Sequence, residues 1–312
     1  MKNKQIRVFA PATIANVAAG YDVLGIALEQ PGDIVAASRT ADKGLMFSLE
    51  GSSVEVPSGE NNVAAHVAKL MLDEIDPPFG VNMILTKKMP LGSGLGSSGA
   101  SCAAAALAVN SLLLKPLPRK ELIRFAMEGE RLASGSPHAD NVAPALLGGV
   151  CLIRSYTPLD IIQLPTKCRL FWVIARPHLV IHTQDARNIM PKSISLATAI
   201  EQWGNLGALI AGLMQGDSVL IGKSLVDSVA EPVRAPLIPA YGDVKREALA
   251  SGAIAFSISG SGPSVFAVTP SLAVGKQVAN SIRQSFNKFA QIDCDTYVSR
   301  INQEGARVLE KV

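Results

Sequence analysis

Residues 90–101 read PLGSGLGSSGAS, four glycines interleaved with serines and carrying no charge. Glycine loses more backbone entropy on ordering than any other residue, so such a cluster marks positive φ angles or a close approach of the main chain to another group. The flanks decide between them. VNMILTKKM, Val81 to Met89, alternates like a short strand and closes at Pro90. SSGASCAAAALAVNSLLLK, which follows, is rich in alanine and leucine, with Ser97 or Ser98 to cap a helix and Pro116 to stop it. A strand, glycine loop and helix in that order turn backbone N–H groups and the positive end of a helix dipole toward one point. The unit therefore predicts a bound anion, a phosphate first of all.

The kind of phosphate compound follows from what the loop lacks. No lysine follows it, so the GxxxxGK[ST] pattern is absent. GLGSSG, read from Gly94, does match GxGxxG. A dinucleotide site, however, expects that loop after a first strand and an acidic residue about 20 positions later, at the end of a second strand. Here the acidic residue is Glu121, which begins a helix after the turn KPLPRK. The paired hydroxyls of Ser97 and Ser98 suit a metal-bound triphosphate better.

A chain of 312 residues has room for two domains, and 48% hydrophobic with 18% charged residues marks it as globular. The net charge of +3, without a Lys/Arg run, and an aromatic content of 5% argue against nucleic acid as a partner. Cys102, Cys151, Cys168 and Cys294 show no ligand spacing and read as thiols in a reducing compartment. MKNKQIRVFAPATIANV has no signal-peptide apolar core, and no apolar run reaches the roughly 18 residues of a membrane span. The expectation is a cytoplasmic protein with no membrane partner.

Periodicity places strands at IRVFAPATIANV, DIVAASRT and GLMFSLEG, a helix from Asn61, and a second helix over RKELIRFAMEGERLASG. That second helix has Leu122, Phe125, Ala126 and Gly129 on its apolar stripe. GGVCLIRS reads as strand, and Pro158 and Pro165 mark a soft boundary, giving domains of 1–160 and 161–312. Beyond it RLFWVIARP reads as strand, Ser193 to Met214 and GDSVLIGKSLVDSV as helices, GDVKREALASG as another. AIAFSISGSGPSVFAVTP reads as two strands around a second glycine turn, and DTYVSRI as a last strand.

Three separated motifs, PATIANVAAGYDVLG, PLGSGLGSSGAS and SISGSGPSVFAV, together resemble the three motifs of the GHMP small-molecule kinases, in order and spacing over nearly the whole chain. ANVAAGYDVLGIAL, ERLASGSPHADNVAPALLGG and TQDARNIMP look most like the branch of that family that moves the γ-phosphoryl of ATP onto the side-chain hydroxyl of homoserine. The resemblance implies an α+β, two-domain fold: a ribosomal-protein-like α/β domain, then a ferredoxin-like domain, with the active site between them. It also implies ATP and Mg²⁺ as cofactors and homoserine as substrate; a homodimer is a separate expectation, resting on apolar surface that the first domain would expose.

Carried over residue by residue, the resemblance gives Pro90, Leu91, Gly92, Ser93, Gly94, Leu95, Gly96, Ser97, Ser98, Gly99 and Ala100 to the triphosphate, and Asn62 to the nucleoside. Ser98 and Glu130 would hold Mg²⁺. An amino-acid substrate needs donors for its carboxylate and acceptors for its ammonium. Arg187 and Arg234, helped by His138, would take the first, and Asp22 and Asp140 the second. Asn16 and Asn141 would face the hydroxyl and Thr183 border the γ-phosphate, so that Asp22, Asn141 and Thr183 stand nearest the chemistry. The proton acceptor stays open between Asp22 and the phosphate.

Each of these has an ordinary alternative. Exposed charge is the default for Glu, Asp and Arg, and Asp22 and Asp140 also suit turns or helix caps. Three rival functions remain. A mevalonate- or sugar-directed member of the family would not need two arginines aimed at an α-carboxylate. A nicotinamide oxidoreductase would use GLGSSG, and a binding module would hold ATP without turnover.

Overall fold

The structure, a computed structural model, describes residues 5–51 and 56–311. In chain order the first half runs β1 (Ile6–Ala15), β2 (Leu24–Thr40), β3 (Leu45–Leu49), α1 (Val63–Ile75), β4 (Gly80–Thr86), α2 (Ser97–Leu112), α3 (Arg119–Ser134), α4 (Ala139–Leu147), β5 (Val150–Tyr156) and β6 (Leu159–Leu164). The second half runs β7 (Phe171–Pro177), α5 (Thr183–Asn188), α6 (Leu196–Gln215), α7 (Ser218–Ser224), α8 (Glu231–Arg234), α9 (Tyr241–Ala250), β8 (Ala255–Ile258), β9 (Val265–Thr269), α10 (Leu272–Ala290), β10 (Cys294–Ser299) and β11 (Arg307–Lys311).

β1 and β2 form the spine of a seven-stranded sheet ordered β11-β1-β2-β4-β3, with β5 and β6 added along β2. The β1–β2 register shifts between Pro11 and Thr13, so the 17-residue β2 is shared: Ile34–Thr40 pair with β4, and Leu24–Ile26 pair with β5. Helix α2 lies against β1 and β2 and among α1, α3 and α4. It is buried on nearly every side, and a run of Ala103 to Ala106 with Ala108 keeps it slim enough to fit there. A helix apolar all round belongs in a core. Helix α3 is the opposite case: Leu122, Phe125, Ala126 and Gly129 face inward as the periodicity predicts, and Gly135 ends it in the left-handed conformation.

The second sheet is antiparallel, ordered β10-β7-β9-β8, with α9 and α10 packed on it. That order, with paired strands and crossover helices, is the ferredoxin-like arrangement the resemblance implied. Its core is separate, built on Val173, Phe256, Val265 and Ile282.

Several expectations need correction. The boundary at 160/161 falls inside β6, which hairpins with β5 in the first sheet, and β11 returns from the second half to pair with β1. The first unit is therefore completed by Arg307–Lys311, far beyond that boundary. Helix α4, β6 and β11 had no counterpart in the sequence reading. The helix expected over GDSVLIGKSLVDSV stops at Ser224. Neither Ser97 nor Ser98 caps α2: Gly96 does, in the left-handed conformation at φ +64, and both serines sit in the first turn. Among elements with exposed apolar side chains, α6 of the second half carries Leu196, Ile200, Trp203 and Met214, where the sequence reading looked to the first. Among the described residues, no helix is long and apolar enough to cross a membrane. The four cysteines are free, three of them buried.

Candidate active site

The loop before α2 is clamped from both halves. Leu95 carbonyl accepts from Thr13 N of β1 at 3.0 Å, and Gly94 carbonyl accepts from Ser259 Oγ at 2.7 Å. Ser93 carbonyl accepts from Ser264 N at 3.2 Å, so the second glycine turn, Ser259 to Ser264, holds the loop down. Two glycines are required by contact as well as by angle. A side chain on Gly94 would meet the Ser259 carbonyl at 2.7 Å, and one on Gly96 would overlap Thr13 Oγ1 and lie 2.6 Å from Asn141 Oδ1. Gly96→Ala combines that overlap with a strained positive φ. We expect nucleotide affinity to fall by about 10-fold or more, measured by equilibrium titration with a fluorescent ATP analogue; unchanged affinity contradicts the placement of the loop.

Above the loop lies a cavity of about 1110 Å³, lined from both halves. Pro90, Leu91, Gly92, Ser93, Gly94, Gly96, Ser97 and Ser98 face it, as do Asn16, Asp22, Asn62, Glu130, His138, Asp140, Asn141, Thr183, Arg187 and Arg234. Three of the expected residues do not. Leu95 and Ala100 turn their side chains into the core, and Gly99 packs against Asn141 Cβ, 3.1 Å from where a side chain would start. Asn62 is committed elsewhere in part: its Oδ1 caps α1 through Ala64 N at 2.9 Å, and its Nδ2 donates to Pro57 carbonyl.

The cavity concentrates polar atoms that have nothing to bond. Of the ten buried side-chain polar atoms without a partner among the described residues, six belong to residues lining it: Ser93, Glu130, His138, Asp140, Arg176 and Arg187. An unpaired buried polar group costs about 1–3 kcal/mol, so such a cluster signals a ligand that completes it.

At the end of the cavity next to the glycine loop, Glu130 projects from α3 beside Ser98. Burial pushes its carboxyl above the ordinary range, and a hydrogen bond from Ser98 and the charge of Lys87 pull it back. A buried carboxylate oxygen and a hydroxyl at a helix start are hard oxygen donors of the kind Mg²⁺ takes when the rest of its shell is phosphate and water.

At the other end the residues after β1 run through three successive left-handed conformations, Asn16, Val17 and Ala18. Such a run costs energy and persists only where surroundings fix it. Asn16 fixes it: Nδ2 donates to Gly260 carbonyl at 3.1 Å, and Oδ1 accepts from Asp22 N at 3.0 Å. Asp22 is thereby delivered to Arg187, which grips it with two bonds of 3.1 and 3.0 Å. Arg234 is 4% exposed and donates to the carbonyls of Ala186 (3.2 Å) and Gly260 (2.9 Å), with its guanidinium over the Tyr21 ring. Both arginines therefore stand in one cavity with Asp22 and Asp140.

His138 precedes α4, and burial, with the charge of Arg187, holds its imidazole below the usual range. Asp140, in the first turn of α4, is pushed up to about 7 by burial and by the negative charges of Asp22 and Glu130. Asn141 accepts from Thr13 Oγ1 at 2.6 Å, and Thr183 Oγ1 lies 3.4 Å from Ser261 Oγ.

Several supports belong to none of the three sequence motifs' assigned roles: Thr13, Tyr21, Tyr156, which donates to Asp22 carbonyl at 3.0 Å, and a buried lysine, Lys87. Lys87 had a local signal, the KK pair directly before the loop. The others are made by contacts across the chain.

A GHMP kinases N terminal domain model matches residues 62–149, and a GHMP kinases C terminal model matches 209–288. The chain belongs to the GHMP kinase family. Homoserine kinases match it at full length: that of Chloroherpeton thalassium is 45% identical over 98% of this chain and 100% of its own. That of Methanococcus vannielii is 36% identical over 96% of each. The crystal structure of the homoserine kinase from Cytophaga hutchinsonii superposes with a TM-score of 0.93 at 46% identity, over 99% of this chain and 98% of that one. At 14% identity the mevalonate kinase of L. major shares the fold, with a TM-score of 0.72 over 96% and 97%.

Proposed function

We propose that this chain transfers the γ-phosphoryl of ATP to the side-chain hydroxyl of L-homoserine, giving O-phospho-L-homoserine, a step of threonine biosynthesis. The observation that carries this reading is a single cavity with an anion-binding loop at one end and, at the other, two guanidinium groups beside two carboxylates. An α-amino acid presents the complementary pair, and mevalonate or a sugar presents no ammonium for Asp22 and Asp140.

Phosphoryl transfer asks mainly for positioning and charge stabilisation. In this reading the loop amides and the start of α2 receive the triphosphate, and Ser98 and Glu130 hold Mg²⁺, which when bound spreads the charge on the phosphoryl oxygens. Arg187, Arg234 and His138 bind the substrate carboxylate, Asp22 and Asp140 its ammonium, and Asn16, Asn141 and Thr183 border its hydroxyl and the γ-phosphoryl. Asp22 has both carboxylate oxygens engaged by Arg187. The hydroxyl proton therefore passes to the phosphoryl oxygens as the new O–P bond forms and ADP leaves. The reading also places the protein in the cytoplasm as a homodimer.

A coupled ADP-release assay with Mg-ATP against homoserine, mevalonate, galactose and shikimate tests the assignment. Turnover with homoserine above the other three is expected; preference for another alcohol overturns it.

Asp140 gives the reaction a pH signature. It gains its charge as pH rises through about 7, and only the carboxylate pairs with the ammonium. Because kcat/KM reports the free enzyme, its value for homoserine should climb between about pH 6 and 8 with an apparent midpoint near 7. Asp140→Asn should lower kcat/KM and remove that limb. A profile unaltered in the variant would detach Asp140 from the ammonium.

A further inference from the structure

At the base of the phosphate loop, in the wall of the same cavity, lies a buried ion pair to which the family resemblance assigns no role. Asp33 of β2 is 0% exposed and Lys87, one residue past β4, is 1% exposed; their side chains are in direct contact. Asp33 Oδ1 accepts from the backbone N–H groups of Lys88 (3.0 Å) and Met89 (3.2 Å), where the loop begins. Its Oδ2 accepts from Lys87 Nζ and from Ser101 Oγ (2.8 Å), where the loop ends. Lys87 Nζ further donates to Ser97 carbonyl at 2.6 Å and to Ser101 Oγ at 2.8 Å. A direct bond from Ser97 Oγ to Met89 carbonyl, 2.8 Å, closes the same gap.

We propose that Asp33, Lys87 and Ser101 form a clasp that fixes both ends of the phosphate loop to β2 and so sets the spacing of its amides for a nucleotide triphosphate. An ammonium has three donors, and all three of Lys87's are taken by Asp33, Ser97 and Ser101. Lys87 therefore acts through the loop, as a positioning residue, and not on the phosphate. A buried ion pair is a poor source of stability, since desolvation offsets most of the attraction and an apolar pair of equal volume often serves as well or better. What an apolar pair cannot do is hold two amides, a carbonyl and a hydroxyl at fixed places. Ser97, pinned on its carbonyl and its hydroxyl, is the neighbour of Ser98 and lies in the turn whose N–H groups point at the ligand.

The proposal rests on the phosphotransfer reading, and its test separates the two. Dissociation constants for a magnesium complex of a non-hydrolysable ATP analogue, homoserine KM, and Tm would be measured for the parent, Ser101→Ala, Lys87→Met and the apolar pair Asp33→Leu/Lys87→Met. Nucleotide affinity is expected to fall about 10-fold in Ser101→Ala and about 100-fold in Lys87→Met, the range seen when supports of ligating groups are lost. Homoserine KM should stay within about 2-fold in both, and the apolar pair should recover Tm without recovering nucleotide affinity. The clasp is refuted if Ser101→Ala and Lys87→Met bind nucleotide as the parent does. It is equally refuted if affinity returns with Tm in the apolar pair, or if homoserine KM rises in step with nucleotide loss. If the apolar pair does not fold, Ser101→Ala, which removes one hydroxyl, decides. A parent that binds no nucleotide and releases no ADP sinks the phosphotransfer reading first, and the clasp with it.

Discussion

Glu130→Gln is expected to lower kcat by about 10²- to 10³-fold, the loss that follows removal of one preorganised group from a charged transition state. The half-saturating Mg²⁺ concentration should rise with it. The side chain is 6% exposed on α3, one of its oxygens has no partner, and its neighbour is Ser98. Glutamine keeps the volume and removes the charge, so the cavity survives while its metal donor weakens. The ligand-free protein should be no less stable, because a buried carboxylate held only by Ser98 and a nearby lysine charge is a burden that the amide relieves. Initial rates across a magnesium series, with Tm measured alongside, check both halves. Normal turnover at ordinary magnesium removes Glu130 from the metal site, and loss of activity together with loss of Tm would indicate damage to the fold.

Arg234→Ala is expected to raise homoserine KM by about 30-fold or more with little change in ATP KM, since truncating one partner of a buried charge pair costs about 2–5 kcal/mol. Arg187→Ala should act in the same direction by less. Arg187 spends two bonds on Asp22, so its loss frees a carboxylate that still serves the ammonium. Arg234 donates only to neutral groups, the carbonyls of Ala186 and Gly260 and, at 3.5 Å, the Tyr21 hydroxyl, which leaves its charge to be balanced by substrate. Steady-state kinetics with each substrate varied in turn distinguish the ends of the cavity. An unchanged homoserine KM in both variants rules out the carboxylate clamp.

The glycine loop before α2 was legible in the sequence because every element that makes it is local: a short strand, closely spaced glycines and an alanine-rich helix. Its cap was not, because Gly96 takes the capping position through its backbone while the Ser97 hydroxyl turns back to Met89. Helix α4 was hidden by its own composition, nine residues with Pro144 inside. The strands β6 and β11 are short, and each is made a strand by its partner; β11 finds its partner in β1, across almost the full chain. The arginines and carboxylates at the far end of the cavity had no pattern of their own and were singled out only through the family resemblance. Asp33 carried neither signal and Lys87 only the KK pair before the loop, since their contact is assembled by β2 and β4 lying side by side, 54 residues apart in sequence.

The return of β11 to β1 bears on how such a molecule is made. Chains emerge at about 5–20 residues per second and fold from their leading end. The outer edge of β1 waits, with its N–H and C=O groups unmatched, until residues 307–311 have come off the ribosome. For that interval the nascent protein carries an open sheet margin, the feature most prone to pair with a neighbouring chain. Truncation ahead of Arg307 should make that interval permanent and show up first as aggregation during expression.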